Sequence, residues 1–347
     1  LNGKTNLTTE DFDYELPEAL IAQSPAEKRD HSRLMAIDRQ TGDITDTFFH
    51  HITDYLKPGD LLVMNNTKVL PARIFGRKKE TGGKVELLLL KRLDENRWET
   101  MVKPGKKAKP GAVITFDHGL EGTIEATIDG GLRVIRFAYE GVFEEILDAI
   151  GTMPLPPYIH ETLKDQSRYQ TVYAEIEGSA AAPTAGLHFT PELLKKIENM
   201  GVATEKVTLD VGIGTFRPVK ADQIADHQMH SEHYRLPSET AAAIVKTKAE
   251  GGRVIAVGTT TVRTLESVAQ KHNGEIVADS GNTDIFIYPG YDWQVVDALI
   301  TNFHLPKSTL LMLVSSFYDR EKVLAAYRHA VEEHYRFFSF GDAMFLY

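Results

Sequence analysis

The period of the hydrophobic positions changes twice along the chain, and these changes mark out the expected elements. Residues 13–24 place apolar side chains at helical spacing (Leu16, Ala19, Leu20, Ile21) with Pro17 in the first turn, which predicts an amphipathic helix. The polar residues 2–10 ahead of it read as a frayed end. A loop over 24–32 leads to a strand at 33–38 and a turn at 41–43. A short helix at 50–55, ended by Lys57-Pro58-Gly59, precedes a buried strand at 60–65.

From residue 66 the texture turns to runs of four to eight residues cut by Gly, Pro and Asp-Glu-Asn turns. Six strands are expected, at 69–75, 84–91, 98–102, 113–116, 122–128 and 132–137, the spacing of an antiparallel barrel or sandwich. A short helix at 144–150 and a Gly- and Pro-containing linker at 151–157 close this segment. Strands at 202–210, 253–257, 285–288 and 297–302 then alternate with helices at 191–200 (capped by Thr190), 238–250, 260–272, 308–317 and 322–334. Such alternation indicates α/β layers around a mainly parallel sheet with helices. The expected organisation is one α/β domain built from residues 1–65 and 151–347, with a small antiparallel β-barrel domain, 66–150, inserted.

Composition narrows the chemistry. A chain of 347 residues, 42% hydrophobic and 25% charged, suits a folded protein of about two domains. The absence of cysteine removes disulfides, thiolate metal sites and cysteine nucleophiles. No apolar run approaches the ~20 residues of a membrane span, and no basic-then-apolar leader is visible, so a cytoplasmic protein without membrane contact is expected. The net charge of −10 argues against a polyanionic partner until it is partitioned. Residues 66–112 hold thirteen Lys or Arg against five acids, a local +8 that leaves −18 for the remainder. Lys106, Lys107 and Lys109, beside Pro104 and Gly105, read as a cationic hairpin tip. Either a solvated strand face or an RNA-binding face accounts for them.

Three polar junctions join strands or loops to helices: Pro183-Thr-Ala-Gly-Leu-His188, Gly258-Thr-Thr-Thr261 with Arg263, and Thr301-Asn302-Phe-His304 running to Ser308. Open α/β sheets place ligands at the carboxyl ends of strands, where helix N-termini favour anions. Ordinary threonine capping is the competing explanation, and Arg263 could simply pair with Glu266. Gly212 and Gly214 could let a ligand approach the backbone, yet the third glycine of a dinucleotide fingerprint is missing. His227, His230, Glu232 and His233 lack zinc-site spacing, so polar loop residues or an acid/base group are expected there rather than a metal.

Nine strings in one order carry a resemblance: Asp13-Tyr-Glu-Leu-Pro, Lys28-Arg-Asp-His-Ser-Arg-Leu, Asn65-Asn-Thr-Lys-Val-Leu-Pro-Ala-Arg, Met153-Pro-Leu-Pro-Pro-Tyr-Ile, Ala182-Pro-Thr-Ala-Gly-Leu-His-Phe, Val211-Gly-Ile-Gly-Thr-Phe-Arg-Pro, Met229-His-Ser-Glu, Val257-Gly-Thr-Thr-Thr-Val-Arg and Thr301-Asn-Phe-His-Leu-Pro. From about residue 13 to 347 the chain resembles the S-adenosylmethionine:tRNA ribosyltransferase-isomerases of queuosine biosynthesis. The resemblance implies transfer and isomerisation of the ribosyl part of S-adenosylmethionine onto the aminomethyl group of 7-aminomethyl-7-deazaguanine at the tRNA wobble position. Epoxyqueuosine in tRNA would form, with adenine and methionine released. S-adenosylmethionine is then a consumed co-substrate, with no metal or resident cofactor, and a monomer is the expected state.

That chemistry needs a base for the ribose C5′ proton, an acid for departing adenine and a deprotonated amine. His188, His230, Glu232 and His304 are the expected acid/base groups. Gly212, Gly214, Gly258, Thr259, Thr260, Arg263 and Asn302 are expected to hold S-adenosylmethionine, and Arg33, Lys68, Arg73, Lys106, Lys107 and Lys109 to meet tRNA. The competing function is a non-catalytic RNA-binding protein with a vestigial nucleotide pocket. A nucleotide-dependent oxidoreductase is disfavoured by the incomplete glycine fingerprint.

Overall fold

The computed structural model describes residues 6–212, 219 and 221–347, apart from the Lys107 side chain. In chain order, β1 (Arg33–Ile37), β2 (Ile44–Phe48), β3 (Leu61–Asn65) and β4 (Thr67–Val69) precede six barrel strands. These are β5 (Arg73–Lys78), β6 (Lys84–Arg92), β7 (Arg97–Lys103), β8 (Val113–Thr115), β9 (Glu121–Thr127) and β10 (Arg133–Ala138). Helix α1 (Phe143–Ile150), β11 (Ile176–Ser179), α2 (Pro191–Asn199), β12 (Ala203–Leu209), β13 (Glu232–Leu236) and α3 (Ser238–Ala249) follow. The chain finishes with β14 (Val254–Val257), α4 (Thr259–Lys271), β15 (Asp279–Thr283), β16 (Ala298–Asn302), α5 (Thr309–Phe317), α6 (Arg320–Glu332) and β17 (Ala343–Leu346).

Both ends of the chain build one nine-stranded sheet, in the order β15-β13-β12-β3-β14-β16-β17-β1-β2. Its centre, β12-β3-β14-β16, is parallel, as is the β17–β1 pair, while β15–β13–β12, β16–β17 and β1–β2 are antiparallel. Strands β3, β14 and β16 are buried at every position. That is the signature of parallel strands covered on both faces. Alternate residues of β3 serve opposite layers: Leu61 and Val63 pack under α3 and α4, whereas Leu62 and Met64 pack with Phe49, Ile52 and α2.

Strands β5–β10 close into a six-stranded antiparallel barrel. Ile74, Val85, Leu87, Trp98, Ile114, Ile124 and Ile135 fill it, and Phe143, Ile146 and Leu147 of α1 pack against the same core. Among the described residues no helix is long and apolar enough to cross a membrane.

Three expectations are corrected. Residues 13–24 form no α-helix; a single turn at Glu18–Leu20 follows Pro17. The segment is held extended by tertiary bonds, since Ala22 donates to the Phe337 carbonyl and Phe337 to the Leu20 carbonyl. The stretch read as a frayed end is partly core: Thr9 donates to the Asp222 carbonyl at 2.9 Å, and Phe12, two residues beyond that stretch, is fully buried. No strand forms at 285–288. The polar segment Asp279–Thr283 pairs with β13 instead, and Ile287 is buried from a loop.

Candidate active site

Strands β14 and β16 are parallel neighbours, so their carboxyl ends, with the following helices α4 and α5, open on one edge of the sheet. A cleft there is lined by Gly258, Thr259 and Thr260 from one junction and by Asn302, His304 and Ser308 from the other. Pro183, Thr184 and Ala185 of the third junction form a further wall. All three polar junctions singled out in the sequence therefore converge. Gly258 has φ +87°, a backbone state that L side chains rarely adopt, and its amide donates to the Ile300 carbonyl at 2.8 Å. No side chain caps α4. Its first turn thus meets the cleft with amides that no capping side chain takes up, whereas α2 and α5 are capped by Thr190 and Ser308. Asn65 donates from Nδ2 to Thr260 Oγ1 at 3.1 Å and fixes that hydroxyl.

A second cluster adjoins this cleft through the chain itself. Val211 lines the cleft, and the next amide, Gly212, donates to Glu232 Oε1 at 2.8 Å. His230 Nε2 lies 3.1 Å from the same oxygen, and Arg263 donates to Oε2. Glu232 and Arg263 are each 4% exposed, whereas the His230 side chain is 27% exposed. Burial alone would raise the Glu232 carboxyl, but the His230 bond, the Arg263 charge and the Gly212 amide outweigh it and hold the carboxyl below its ordinary range. Arg263 is absent from the cleft wall: its guanidinium turns to Glu232 and to the carbonyls of His230 and Thr283. Nor does it pair with Glu266. That carboxylate instead accepts the amides of Gln294, Val295 and Val296 and the hydroxyl of Tyr291, pinning α4 to the segment before β16.

The remaining histidines behave differently. His188 is buried behind Asn302, with Nε2 2.8 Å from Asn302 Oδ1 and Nδ1 2.7 Å from Ser32 Oγ. Asn302 Nδ2 donates to the Phe338 and Ser339 carbonyls, which orients the amide and makes His188 Nε2 the protonated nitrogen. Burial pushes the His188 pKa down to about 4 and that of His304 to about 3. Both rings are neutral near pH 7. His188 does not line this cleft but is bonded to Asn302, which does, while His304, sharing a hydrogen bond with Thr301 Oγ1 at 2.8 Å, lines the cleft itself.

Among the cleft residues to which the sequence reading gave no role are Tyr158, Phe338 and Ser339. Tyr158 shares a 2.6 Å hydrogen bond with Ser339 Oγ, and burial raises its pKa to about 12. Its sequence signals are an aromatic at the end of a proline-rich linker and its place in the resembling string at 153–159. Ser339 follows Phe338, whose φ of +71° is an outlier for a bulky residue and sits in the cleft wall. Gly214 lies outside the described residues.

The expected tRNA contacts divide by their partners. Arg33 is engaged internally, 3.8 Å above the Tyr335 ring and bonded to the Glu333 carbonyl. Lys68 pairs with Glu177 at 3.0 Å, and Arg73 with Glu86 at 3.3 Å. Lys106 and Lys109 are exposed at one end of the barrel beside Lys84, and neither has a carboxylate within ion-pair distance among the described residues. Among the described residues no group of three or more His, Asp or Glu side chains could hold a metal ion.

Residues 9–346 match the protein family described as queuosine biosynthesis protein. Among solved structures, the chain is similar to an S-adenosylmethionine tRNA ribosyltransferase from Thermotoga maritima. The two share 39% sequence identity over 97% of this chain and 100% of that one, with a TM-score of 0.56.

Proposed function

The chain belongs to the queuosine biosynthesis protein family, and from that premise we infer that it is an S-adenosylmethionine-dependent tRNA ribosyltransferase-isomerase in which S-adenosylmethionine is a consumed co-substrate. The tRNA substrate carries 7-aminomethyl-7-deazaguanine at the wobble position. Its aminomethyl nitrogen attacks the ribosyl carbon, and rearrangement releases adenine and methionine. The observation that supports this most is the convergence of three polar junctions on one cleft, with a His–Glu–Arg cluster one residue away along the chain.

In this reading the uncapped amides of α4, with Thr259 and Thr260, take the methionine carboxylate, since a helix N-terminus favours an anion. Gly212 and Gly214 let the adenosine lie against backbone, and Asn302, clamped by His188, shapes the opposite wall. His230 carries protons, with Glu232 as its orienting partner. Arg263 acts on the site through Glu232. His304, neutral, serves as a hydrogen-bonding group toward the leaving base. Lys106, Lys107 and Lys109 hold tRNA phosphates, with Lys68 and Arg73 at the barrel junction.

Single-turnover incubation with S-adenosylmethionine and tRNA bearing the aminomethyl base tests this. Adenine and methionine should appear in equal amounts with modified tRNA, and neither should appear when guanine occupies the wobble position. Binding of S-adenosylmethionine and tRNA without adenine release would instead assign the non-catalytic RNA-binding role.

A further inference from the structure

The outer face of the barrel carries features that the reaction chemistry does not call for. Phe75 is 57% exposed in the middle of β5. Alternate residues of a strand share a face, and the register sets Phe75 beside Glu86, with Leu88 and Met101 paired one step further on. Phe75, Leu88 and Met101 thus form an apolar strip. Cations border it: Arg77 lies directly opposite Lys84, and Lys103 opposite Glu86. Like charges facing across strands are unfavourable unless an anion lies between them. Neither Lys84 nor Lys103 has a carboxylate within ion-pair distance among the described residues.

Two grooves run over this strip, of about 730 Å³ and about 450 Å³, each large enough for a nucleotide-sized ligand. They share Glu86 and Lys103. The first meets the Lys106–Lys109 end through Lys84 and Pro104. The second passes Arg73 to Pro154–Pro157 of the linker, and the next residue, Tyr158, lines the active cleft. The cationic hairpin and the aromatic strip therefore lie on one line of grooves, which ends at the linker whose next residue lines the cleft.

We propose that this path is a track for a single RNA strand, the anticodon-loop strand of the tRNA substrate, with one base stacked on Phe75 and phosphates against Lys84 and Lys103. The proposal rests on the tRNA reading above and assigns where the strand lies. An exposed aromatic bordered by unpaired cations is the combination that binds single strands, because every base offers a π-face and every phosphate a charge. The track also gives a wobble base, once unstacked, a direct route to the cleft.

The test is the affinity of an anticodon stem–loop RNA carrying the aminomethyl base, measured by fluorescence anisotropy across a salt series. Phe75→Ala should weaken binding about 5- to 150-fold with the salt slope unchanged, the loss expected for one stacked base. Phe75→Tyr should restore it. Lys84→Glu with Lys103→Glu should weaken binding and flatten the slope, with S-adenosylmethionine affinity intact in every variant. Because Phe75 is exposed, the thermal midpoint of Phe75→Ala should match wild type. RNA affinity within twofold of wild type in Phe75→Ala overturns the track, as does a loss that Phe75→Tyr does not recover. Loss of self-association in Phe75→Ala with RNA binding unchanged would assign the strip to a protein contact, and equally overturns it. These outcomes are separate from failure of the catalytic reading, which shows as no adenine release by the wild-type protein with the same RNA.

Discussion

Replacing Arg263 with Met probes the buried cluster most directly. The substitution keeps the aliphatic stem and removes the charge that faces Glu232, both groups being 4% exposed. Removing one partner of a buried ion pair costs about 3–5 kcal/mol, because the other charge stays buried and uncompensated. Against a total stability of about 5–15 kcal/mol this is a large share, about 4–7 °C in thermal midpoint for a chain of 347 residues. The pH dependence gives the sharper signature. In the wild type the Glu232 carboxyl is held below its ordinary value of 4.5, so its stabilisation is complete above that pH and is lost only as pH falls through the lower folded-state value. Between pH 5 and 8 this group contributes no slope. Without Arg263, burial is opposed only by His230 and the Gly212 amide, and the folded-state value moves up from its lowered position. The loss caused by the substitution is therefore full at neutral pH and shrinks as pH falls through the two folded-state values, by up to about 1.4 kcal/mol per pH unit.

Denaturant unfolding of wild type and Arg263→Met at pH 3, 5 and 7 measures this. The variant should lose less stability at pH 3 than at pH 7, and adding Glu232→Gln should recover much of the loss, since it removes the stranded charge. Equal losses at all three pH values, below about 1 kcal/mol, would refute the buried-pair argument. If Arg263 instead gripped the methionine carboxylate, the variant would raise KM for S-adenosylmethionine and leave the pH profile of stability unchanged.

Further expectations follow from the same structure. His188 is neutral and buried with its pKa near 4, so the folded state binds fewer protons than the unfolded one between about pH 4 and 6.5; stability rises with pH across that window, by about 3 kcal/mol in total. His188→Gln should remove that acid sensitivity, and an unchanged acid limb in unfolding experiments would contradict the assignment. Gly258→Ala should lose about 1–2 kcal/mol and raise KM for S-adenosylmethionine; the added Cβ would sit 3.5 Å from that of Ala185, an ordinary contact, so the loss is backbone strain at φ +87°. Reversing the charges of Lys106, Lys107 and Lys109 should weaken tRNA binding and reduce its salt slope by about 0.7–0.9 per lost phosphate contact, with S-adenosylmethionine affinity constant; an unaltered slope takes these lysines out of the interface.

What could be read from the chain follows the range of the forces involved. Five of the six barrel strands were legible because alternation is local: the pattern of β6, with Val85, Leu87 and Leu89 inward, is written in nine consecutive residues, whereas the first, expected at 69–75, starts only at Arg73. The fully buried β3 and β14 were legible as apolar runs. Residues 13–24 misled because helical spacing of Leu16, Leu20 and Ile21 arises equally in an extended segment pinned by the distant Phe337. Strand β13, Glu-His-Tyr-Arg-Leu, went unseen because its histidine and acid drew a chemical interpretation, and β15 because Asp-Ser-Gly-Asn-Thr has the composition of a turn. At the site, the junctions were legible from glycine, threonine and helix starts. The partners were not, since Arg263 meets Glu232 across 31 positions and His188 meets Asn302 across 114.

Charge shows the same limit from another side. A sum of −10 and a local +8 say nothing about which cations are available, and availability decides binding. On the barrel, Lys79 and Arg92 face carboxylates from beyond residue 112, Glu121 and Glu144, within 2.8 Å or less, so part of the apparent excess is neutralised in place. Lys84, Lys103, Lys106 and Lys109 are not so matched, and they gather at the end of β5–β7 where the grooves open. Exposed pairs contribute little stability, so the paired cations add mainly local neutrality. In the proposed track the unmatched lysines at this end of the barrel supply the positive charge that the overall sum conceals, while the −18 outside residues 66–112 works against phosphate contacts on the α/β body.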